Sequence, residues 1–494
     1  MHKVVILANF KHFGVNSFEK IVASDITPTL VTYSDEATLH EMRRIYNHDI
    51  YFDIRSCTSS DVFERYLMKR SIPIHFPTAS LYVSLRECRA LFYPMMRRMY
   101  HKQHEITELE SYFHACVRFA FSFLVGSEAK TVLFHNTPHE GWNFVFYHVA
   151  KYLNVRCLMP ERILIDKKFF FLEDMKSMPI PPGEIYLDSS YSEYNVDHTF
   201  LTYIAGRQLT AFESNHLNLK YLINKFIRYM SLARLIFAKC DDPLFALEEK
   251  KPSLLRYYVY RAAAKNKING LRAFYNKKSK ALLPESKYLY FPLQLQPERT
   301  TIPMGGDYWD QLEIIRMLSK AVPDDWLIVI KEHPRQFTRD PMYFSTMRSI
   351  EFYKSLVSMN NVVIADLQLP SQKIIEGSCC VATVTGTAGW EALMFDKPVC
   401  VFGFPWYRNV PSIHRYESFD RLIDFFRSIG ANKYSYDKVK NTQYIKWLVE
   451  EYCVNGYLNP MHLKSSDDFA KNSDVLGDLF VSNIIGCANK NMNG

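Results

Sequence analysis

The densest chemistry in the chain lies between Thr383 and Phe402, in the run TVTGTAGWEALMFDKPVCVF. An apolar strand ends at Val384, the small polar loop Thr385-Gly386-Thr387-Ala388-Gly389 follows, and a helical pattern begins near Trp390. The two glycines permit a tight turn and close backbone approach, the two threonine hydroxyls can donate, and a helix N-terminus attracts negative charge. That composition suits a loop that holds a phosphate, and it also suits a plain strand-to-helix turn. Glu391, in the first turn, either accepts from the paired hydroxyls of a ribose or simply favours the helix start. A second constellation, Lys331-Glu332-His333-Pro334, closes the apolar run WLIVIK. Pro334 stops the strand and restricts His333 to extended backbone, so the imidazole projects from the strand's carboxyl end. Placed there, His333, with Lys331 and Pro334 beside it, can donate to a phosphate and offset charge on a departing nucleotide. Read alone, a His-Pro pair is a turn. The third constellation is Gln294–Arg299 (QLQPER), whose Gln296 and Glu298 could read a base or sugar edge or could form an ordinary polar loop.

These residues need a sheet to bring them together. Tyr288–Leu293, Trp326–Lys331, Val362–Ala365, Val381–Val384 and Pro398–Phe402 read as strands, with helices at Trp309–Ser319, near Ser371–Glu376 and at Trp390–Met394. Each constellation follows a strand, so all three can meet along one sheet edge. The first half repeats the pattern with strands at Val4–Leu7, Thr29–Tyr33, Ile50–Ile54, Thr131–His135 and Val155–Met159, and a helix at Trp142–Leu153. The loops Asn136–Gly141 (NTPHEG) and Pro160–Arg162 then lie at strand ends, and they carry His139, Glu140 and Glu161.

At 494 residues the chain exceeds one ordinary core. The expected fold is α/β, two Rossmann-type domains facing a central cleft in the arrangement called GT-B, with a helical insertion between them. The expected division is 1–210 for an N-terminal acceptor and catalytic domain, 211–284 for a basic helical linker or insertion, 285–435 for a C-terminal nucleotide-sugar domain, and 436–494 for helices packing back across the domains. Between Pro252 and Pro284 there are many Lys and Arg and no acid, which describes either a solvated helix face or a surface for anionic lipid or polyanionic glycan. Apolar residues at 48% and charged residues at 23% exclude a disordered chain, and a net charge of +8 favours an acidic partner without naming one. The ten cysteines include no CxxC pair, so reduced buried thiols and no metal site are expected. The initial apolar run is short, and FAFSFLV at Phe119–Val125 is the nearest approach to a membrane span, so a cytoplasmic protein is expected. The basic stretch carries no helix-turn-helix, RNP aromatic pair or zinc spacing, so nucleic acid is not an expected partner.

In order and spacing, YFPLQLQPERTT, DQLEIIRML, WLIVIKEHP and TVTGTAGWEAL with KPVCVFG resemble the capsule polysaccharide synthesis family. The resemblance is specific over Tyr288–Trp406 and weaker over Thr131–Asp174. It implies a GT-B glycosyltransferase similar to the retaining enzymes that use a CMP-activated 3-deoxy-ulosonic acid, either Kdo or a nonulosonic acid. By that correspondence His333, Thr385 and Thr387 hold the CMP phosphate, Glu391 the ribose, and Gln296 and Glu298 the donor. The nucleophilic carboxylate is then Glu140 or Glu161, and His139 is the base for the acceptor hydroxyl. The chain departs from the better-known branches at Arg162 and Ile163. No DxD motif is present, which agrees with a CMP donor used without metal or other cofactor. The implied partners are the CMP-activated acid sugar, a glycan or lipid-linked acceptor, and peripheral contact with the anionic inner face of the plasma membrane. The rival readings are a UDP- or GDP-hexose transferase and a non-catalytic nucleotide-binding partner in capsule assembly.

Overall fold

Runs such as Val4-Val5-Ile6-Leu7 and Ile328-Val329-Ile330 are fully buried, which an antiparallel sheet with one wet face would not allow but a parallel sheet covered on both sides requires. The computed structural model describes residues 2–57, 60–99, 105–165, 167–186, 253–338, 340, 344, 346–459, 463 and 465–486. These form two units, one drawn from residues up to 97, from 103–177 and from 452 onward, the other from 98–102 and 178–451.

The first unit contains β1 (His2–Leu7), β2 (Ile26–Tyr33), β3 (Tyr51–Asp53), β4 (Thr131–Phe134), β5 (Arg156–Arg162) and β6 (Lys168–Leu172). The second contains β7 (Tyr288–Pro292), β8 (Leu327–Lys331), β9 (Val362–Ile364), β10 (Cys380–Thr383), β11 (Val399–Val401) and β12 (Ile413–Arg415). The chain then returns to the first unit with β13 (Val454–Asn455), giving the sheet order β13-β6-β5-β4-β1-β2-β3, while the second sheet is ordered β12-β11-β10-β7-β8-β9. Every pair in the second sheet is parallel, as are β1 to β5 in the first; β6 and β13 join antiparallel. Both orders are the Rossmann order, in which the chain works outward from a central strand and then reverses to the other side.

The basic stretch is the helix Leu254–Lys278, which Ser253 caps by accepting the Arg256 N–H at 3.4 Å. Ala264, Ile268, Leu271 and Tyr275 form its buried stripe, and Ile268, Leu271 and Tyr275 join the core of the second unit. From residue 253 on, the stretch expected as a linker or insertion lies in the second unit; the boundary at 210/211 and the helical expectation for residues 212–252 lie outside the described residues. FAFSFLV lies in the helix Ile106–Ser127, where Phe119 packs on Phe52 and Phe63 at 5.3 and 4.9 Å. Among the described residues, no helix is long and apolar enough to cross a membrane.

The C-terminal helix Ser466–Ile485 packs on Val15–Ala23, with the Ser473 hydroxyl oxygen accepting the Ser17 N–H at 2.9 Å. Phe480 is fully buried, 5.1 Å from the Phe13 ring. Replacing it (Phe480→Ala) should cost about 3–5 kcal/mol in urea denaturation. A second expectation concerns His148, wedged against Phe144 and Tyr147 at 4.6 and 5.1 Å. Burial, with Lys176 adding to it, lowers its pKa to about 4 from an ordinary 6.5. Between those values the unfolded chain binds the extra proton, so stability should fall as pH drops from about 6.5 towards 4, by about 1–3 kcal/mol. His148→Phe should flatten that part of the stability–pH curve.

Candidate functional site

A doubly wound sheet binds ligands beyond the carboxyl ends of its strands, where the order reverses. In the second sheet this point lies between β7 and β10, with β8 next to β7 and β11 next to β10. The loops after β7, β8 and β10 therefore share one edge, and they carry Gln294–Arg299, Glu332–Pro334 and Thr385–Thr387 respectively.

A buried ion pair ties two of these loops together. Arg348 Nε donates to Glu332 Oε2 at 2.8 Å, with the two side chains 1% and 0% exposed. The same guanidinium donates to Gln296 Oε1 and, at 3.1 Å, to the Gln294 carbonyl. Glu332 also accepts the Tyr353 hydroxyl at 2.7 Å and the His333 N–H at 2.9 Å, and its own N–H donates to Tyr275 Oη at 2.9 Å. Burial disfavours the charged Arg348, but Glu332 and Tyr353 outweigh it and hold the guanidinium above the ordinary arginine range. Burial together with the neighbouring carboxylate pushes the Tyr353 hydroxyl far up.

The ring of His333 is oriented by its neighbour two residues on. Nδ1 accepts the Arg335 N–H at 3.1 Å, so the neutral ring carries its proton on Nε2 and presents a donor. Beyond β10, the Gln294 amide with its oxygen turned to the loop accepts the N–H groups of Thr385 and Gly386, each at 2.6 Å. Gly386 and Gly389 are needed for packing, since a Cβ would lie 2.7 Å from Thr383 Oγ1 at the first and 2.5 Å from the Tyr407 hydroxyl at the second. The helix Thr387–Met394 starts here with no side-chain cap, and the first N–H groups of a helix lack intrahelical partners. Those N–H groups lie at the carboxyl end of β10, and His333 follows the carboxyl end of β8.

Several of the expected ligand groups make contacts within the protein itself. Lys331 is buried and donates to the Leu369 carbonyl and, at 3.4 Å, to Ser371 Oγ. The Gln296 amide serves Arg348 and, at 3.1 Å, the Trp309 carbonyl. Thr385 spends its hydroxyl proton on the Thr300 carbonyl, and Thr387 donates to Glu391 Oε1 at 3.2 Å. Glu391 is buried, and Glu298 is half-buried with its carbonyl accepting from Thr301 and Ile302, both at 3.1 Å. Pro334 starts a short 3-10 turn after His333.

In the first unit the order reverses between β1 and β4, and the three expected catalytic residues gather after β4 and at the end of β5. Thr137, fully buried, donates through its hydroxyl to Glu161 Oε2 at 2.9 Å, and its carbonyl lies 2.9 Å from His139 Nδ1. A carbonyl only accepts, so that nitrogen carries the proton and the neutral ring's lone pair sits on Nε2. Asn143 Oδ1 accepts the N–H groups of His139 and Glu140 at 3.1 and 2.9 Å, and its amide donates to Glu140 Oε2 at 3.3 Å. One threonine and one asparagine thus position two carboxylates and an imidazole. Sequence reading missed Thr137, Asn143 and Arg348. Glu332 gave a partial signal, because a carboxylate at the end of a buried strand needs a cation or donors, but the spacing does not say which.

Residues 242–413 match the capsule polysaccharide biosynthesis protein family. That stretch contains the three loops of the second sheet, and it bears out the resemblance read from their motifs. No curated protein matches the chain. Solved structures similar to it include the beta Kdo 2,7 transferase KpsC of Thermosulfurimonas dismutans, with 16% identity, 47% of this chain and 67% of that chain covered and a TM-score of 0.24. The beta Kdo 2,4 transferase KpsC of the same organism shows 12% identity, 71% and 87% coverage and a TM-score of 0.29. A UDP-GlcNAc 2-epimerase from Neisseria meningitidis bound to UDP-GlcNAc shows 13%, 90%, 98% and 0.22 in the same order. At these TM-scores the likenesses fix no activity for this chain. Among the described residues, no group of three or more His, Cys, Asp or Glu is placed to hold a metal ion.

The ion pair can be tested by removing one partner. Arg348→Ala leaves Glu332 buried and uncompensated and should cost about 3–5 kcal/mol, read as a lower midpoint in chemical denaturation. Arg348→Lys should recover only part of that loss, because an ammonium cannot reproduce the forked contact with Glu332 and Gln296.

Proposed function

We propose that the protein is a glycosyltransferase of capsule polysaccharide biosynthesis, transferring a 3-deoxy-ulosonic acid from its CMP ester to a glycan or lipid-linked acceptor with retention and without metal. The observation that carries this reading is the alignment of an Nε2–H donor and an uncapped helix start along the reversal edge of the second sheet. The strands that carry them flank β7 and stand about 10 Å apart, a span suited to one nucleoside monophosphate. In this reading His333 and the N–H groups of Thr387 and Ala388 take the CMP phosphate. Lys331, Gln296 and Thr385 build the loops, and Glu391 with Glu298 borders the nucleoside.

The first unit supplies the rest. A carboxylate, Glu161 or Glu140, attacks the anomeric carbon as the bond to the CMP phosphate breaks, giving a covalent glycosyl ester. The acceptor hydroxyl then displaces the carboxylate while His139 Nε2 takes its proton, so two inversions return the original configuration. No metal is needed if the phosphate's charge is met by His333 and backbone donors. The exposed basic face of Leu254–Lys278 would keep a cytoplasmic enzyme at the anionic inner face of the plasma membrane or guide an acidic acceptor.

Calorimetry with CMP and mass analysis of products from a panel of CMP-, UDP- and GDP-sugars test the proposal together. CMP should bind, His333→Ala should weaken it at least tenfold, and only CMP-ulosonates should turn over. Loss of turnover in either Glu161→Gln or Glu140→Gln, with CMP affinity retained, identifies the nucleophile. Turnover of a UDP- or GDP-hexose alone would discard the donor assignment. Unchanged cellular glycan in both carboxylate variants would favour a non-catalytic nucleotide-binding partner.

A further inference from the structure

The loop after β11 lies over the reversal point. At Gly403 a Cβ would come within 2.5 Å of the Met304 carbonyl oxygen and 2.7 Å of Thr385 Cγ2. The Phe404 N–H donates to the Met304 carbonyl at 2.9 Å. Trp406 packs 4.6 Å from Trp390 at the start of the helix Thr387–Met394, and the Tyr407 hydroxyl donates to the Gly386 carbonyl. The next residue, Arg408, belongs to the same loop, its N–H donating to the Pro405 carbonyl at 2.9 Å.

Arg408 is in an unusual situation. Its guanidinium carbon stands 4.8 Å from the centre of the Phe404 ring, and its Nε is shut off from solvent with no hydrogen-bond partner among the described residues. The charged groups around it are Arg415, at the carboxyl end of β12, and Glu417. Arg415 donates to Asn409 Oδ1 at 3.4 Å. Burial and the like charge of Arg415 weaken the hold of Arg408 on its proton, while Glu417 acts the other way. A guanidinium stays charged in proteins, and leaving its buried Nε without a hydrogen-bonded partner costs stability, while the residue as a whole is half-buried and its two terminal nitrogens remain to meet a ligand. A second cation next to it compounds that cost. The ring of Phe404 meanwhile fixes the guanidinium in place, which suits a planar fork for two oxygens of one anion.

We propose that Arg408 is an anion-recognition residue at this edge, making a planar two-point contact with a pair of oxygens on the donor. Those oxygens belong either to the nucleotide phosphate or to the carboxylate of an acid sugar. The inference rests on the donor reading given above and adds to it a recognition residue outside the three motif loops.

The test measures binding of CMP and of CMP-Kdo, without acceptor, to the full-length wild-type protein, Arg408→Gln and Arg408→Lys, with melting temperature confirming the fold of each. If the contact is to the phosphate, Arg408→Gln weakens both ligands at least tenfold. If it is to the carboxylate, only CMP-Kdo weakens by that factor. Unchanged affinity for both ligands overturns the proposal. Should the glutamine variant misfold, Arg408→Lys decides, because it keeps the charge and loses the fork. It should bind about three- to tenfold less tightly, and wild-type affinity in that variant overturns the two-point contact. If the wild type binds no CMP at all, the donor reading fails and Arg408 is judged separately with inorganic phosphate. Phosphate should raise the melting temperature of the wild type and not of Arg408→Gln, and an equal rise in both overturns the proposal.

Discussion

Arg348 and Glu332 lie where water does not reach, and the loops of the second sheet depend on their meeting. Desolvating two charges is expensive, and mutual attraction recovers the cost only when the remaining donors and acceptors are also satisfied. Here they are, since the guanidinium reaches Gln296 and the Gln294 carbonyl while the carboxylate takes Tyr353 and the backbone of His333. One interaction therefore sets the path of the loop after β7 and the exit from β8 together. A hydrophobic pair of equal volume would fill the space without dictating either path.

The same economy governs the two histidines. Each has Nδ1 satisfied by backbone, yet the partners are of opposite kind, an N–H at His333 and a carbonyl at His139. The other ring nitrogen is consequently a donor in the second unit and an acceptor in the first. Stabilising a departing phosphate calls for the former, and accepting a hydroxyl proton calls for the latter. The local turn, rather than any neighbouring charge, makes this choice.

Much of this was readable before any coordinates. Period-two and continuous apolar runs located ten strands, β1 to β5 and β7 to β11, because a doubly covered parallel strand leaves a plain signature, as in Val4–Leu7 and Trp326–Lys331. β12 and β13 gave no such signal, because Ile413-His414-Arg415 and Val454-Asn455 each hold a single apolar residue. The motif positions were legible, but the direction of each side chain was not. Lys331, Gln296 and Thr385 carry the right chemistry for a ligand and use it on the protein's own carbonyls and Arg348. The helix Leu254–Lys278 misled for another reason. Its charges dominate the composition, whereas its four buried positions, spaced by three and four, decide where it packs.

The helix Ser466–Ile485 lies against Val15–Ala23, so the first unit is assembled from segments far apart in the chain, while the second, but for residues 98–102, runs from residue 178 to 451. On a ribosome, which usually lets N-terminal domains fold first, the order is reversed for this protein. The later unit has all of its sequence available while the earlier one still waits for its last helix. Until that helix emerges, the face of Val15–Ala23 and the ring of Phe13 stay uncovered, and the nascent first unit is the part of the molecule that a chaperone would have reason to hold.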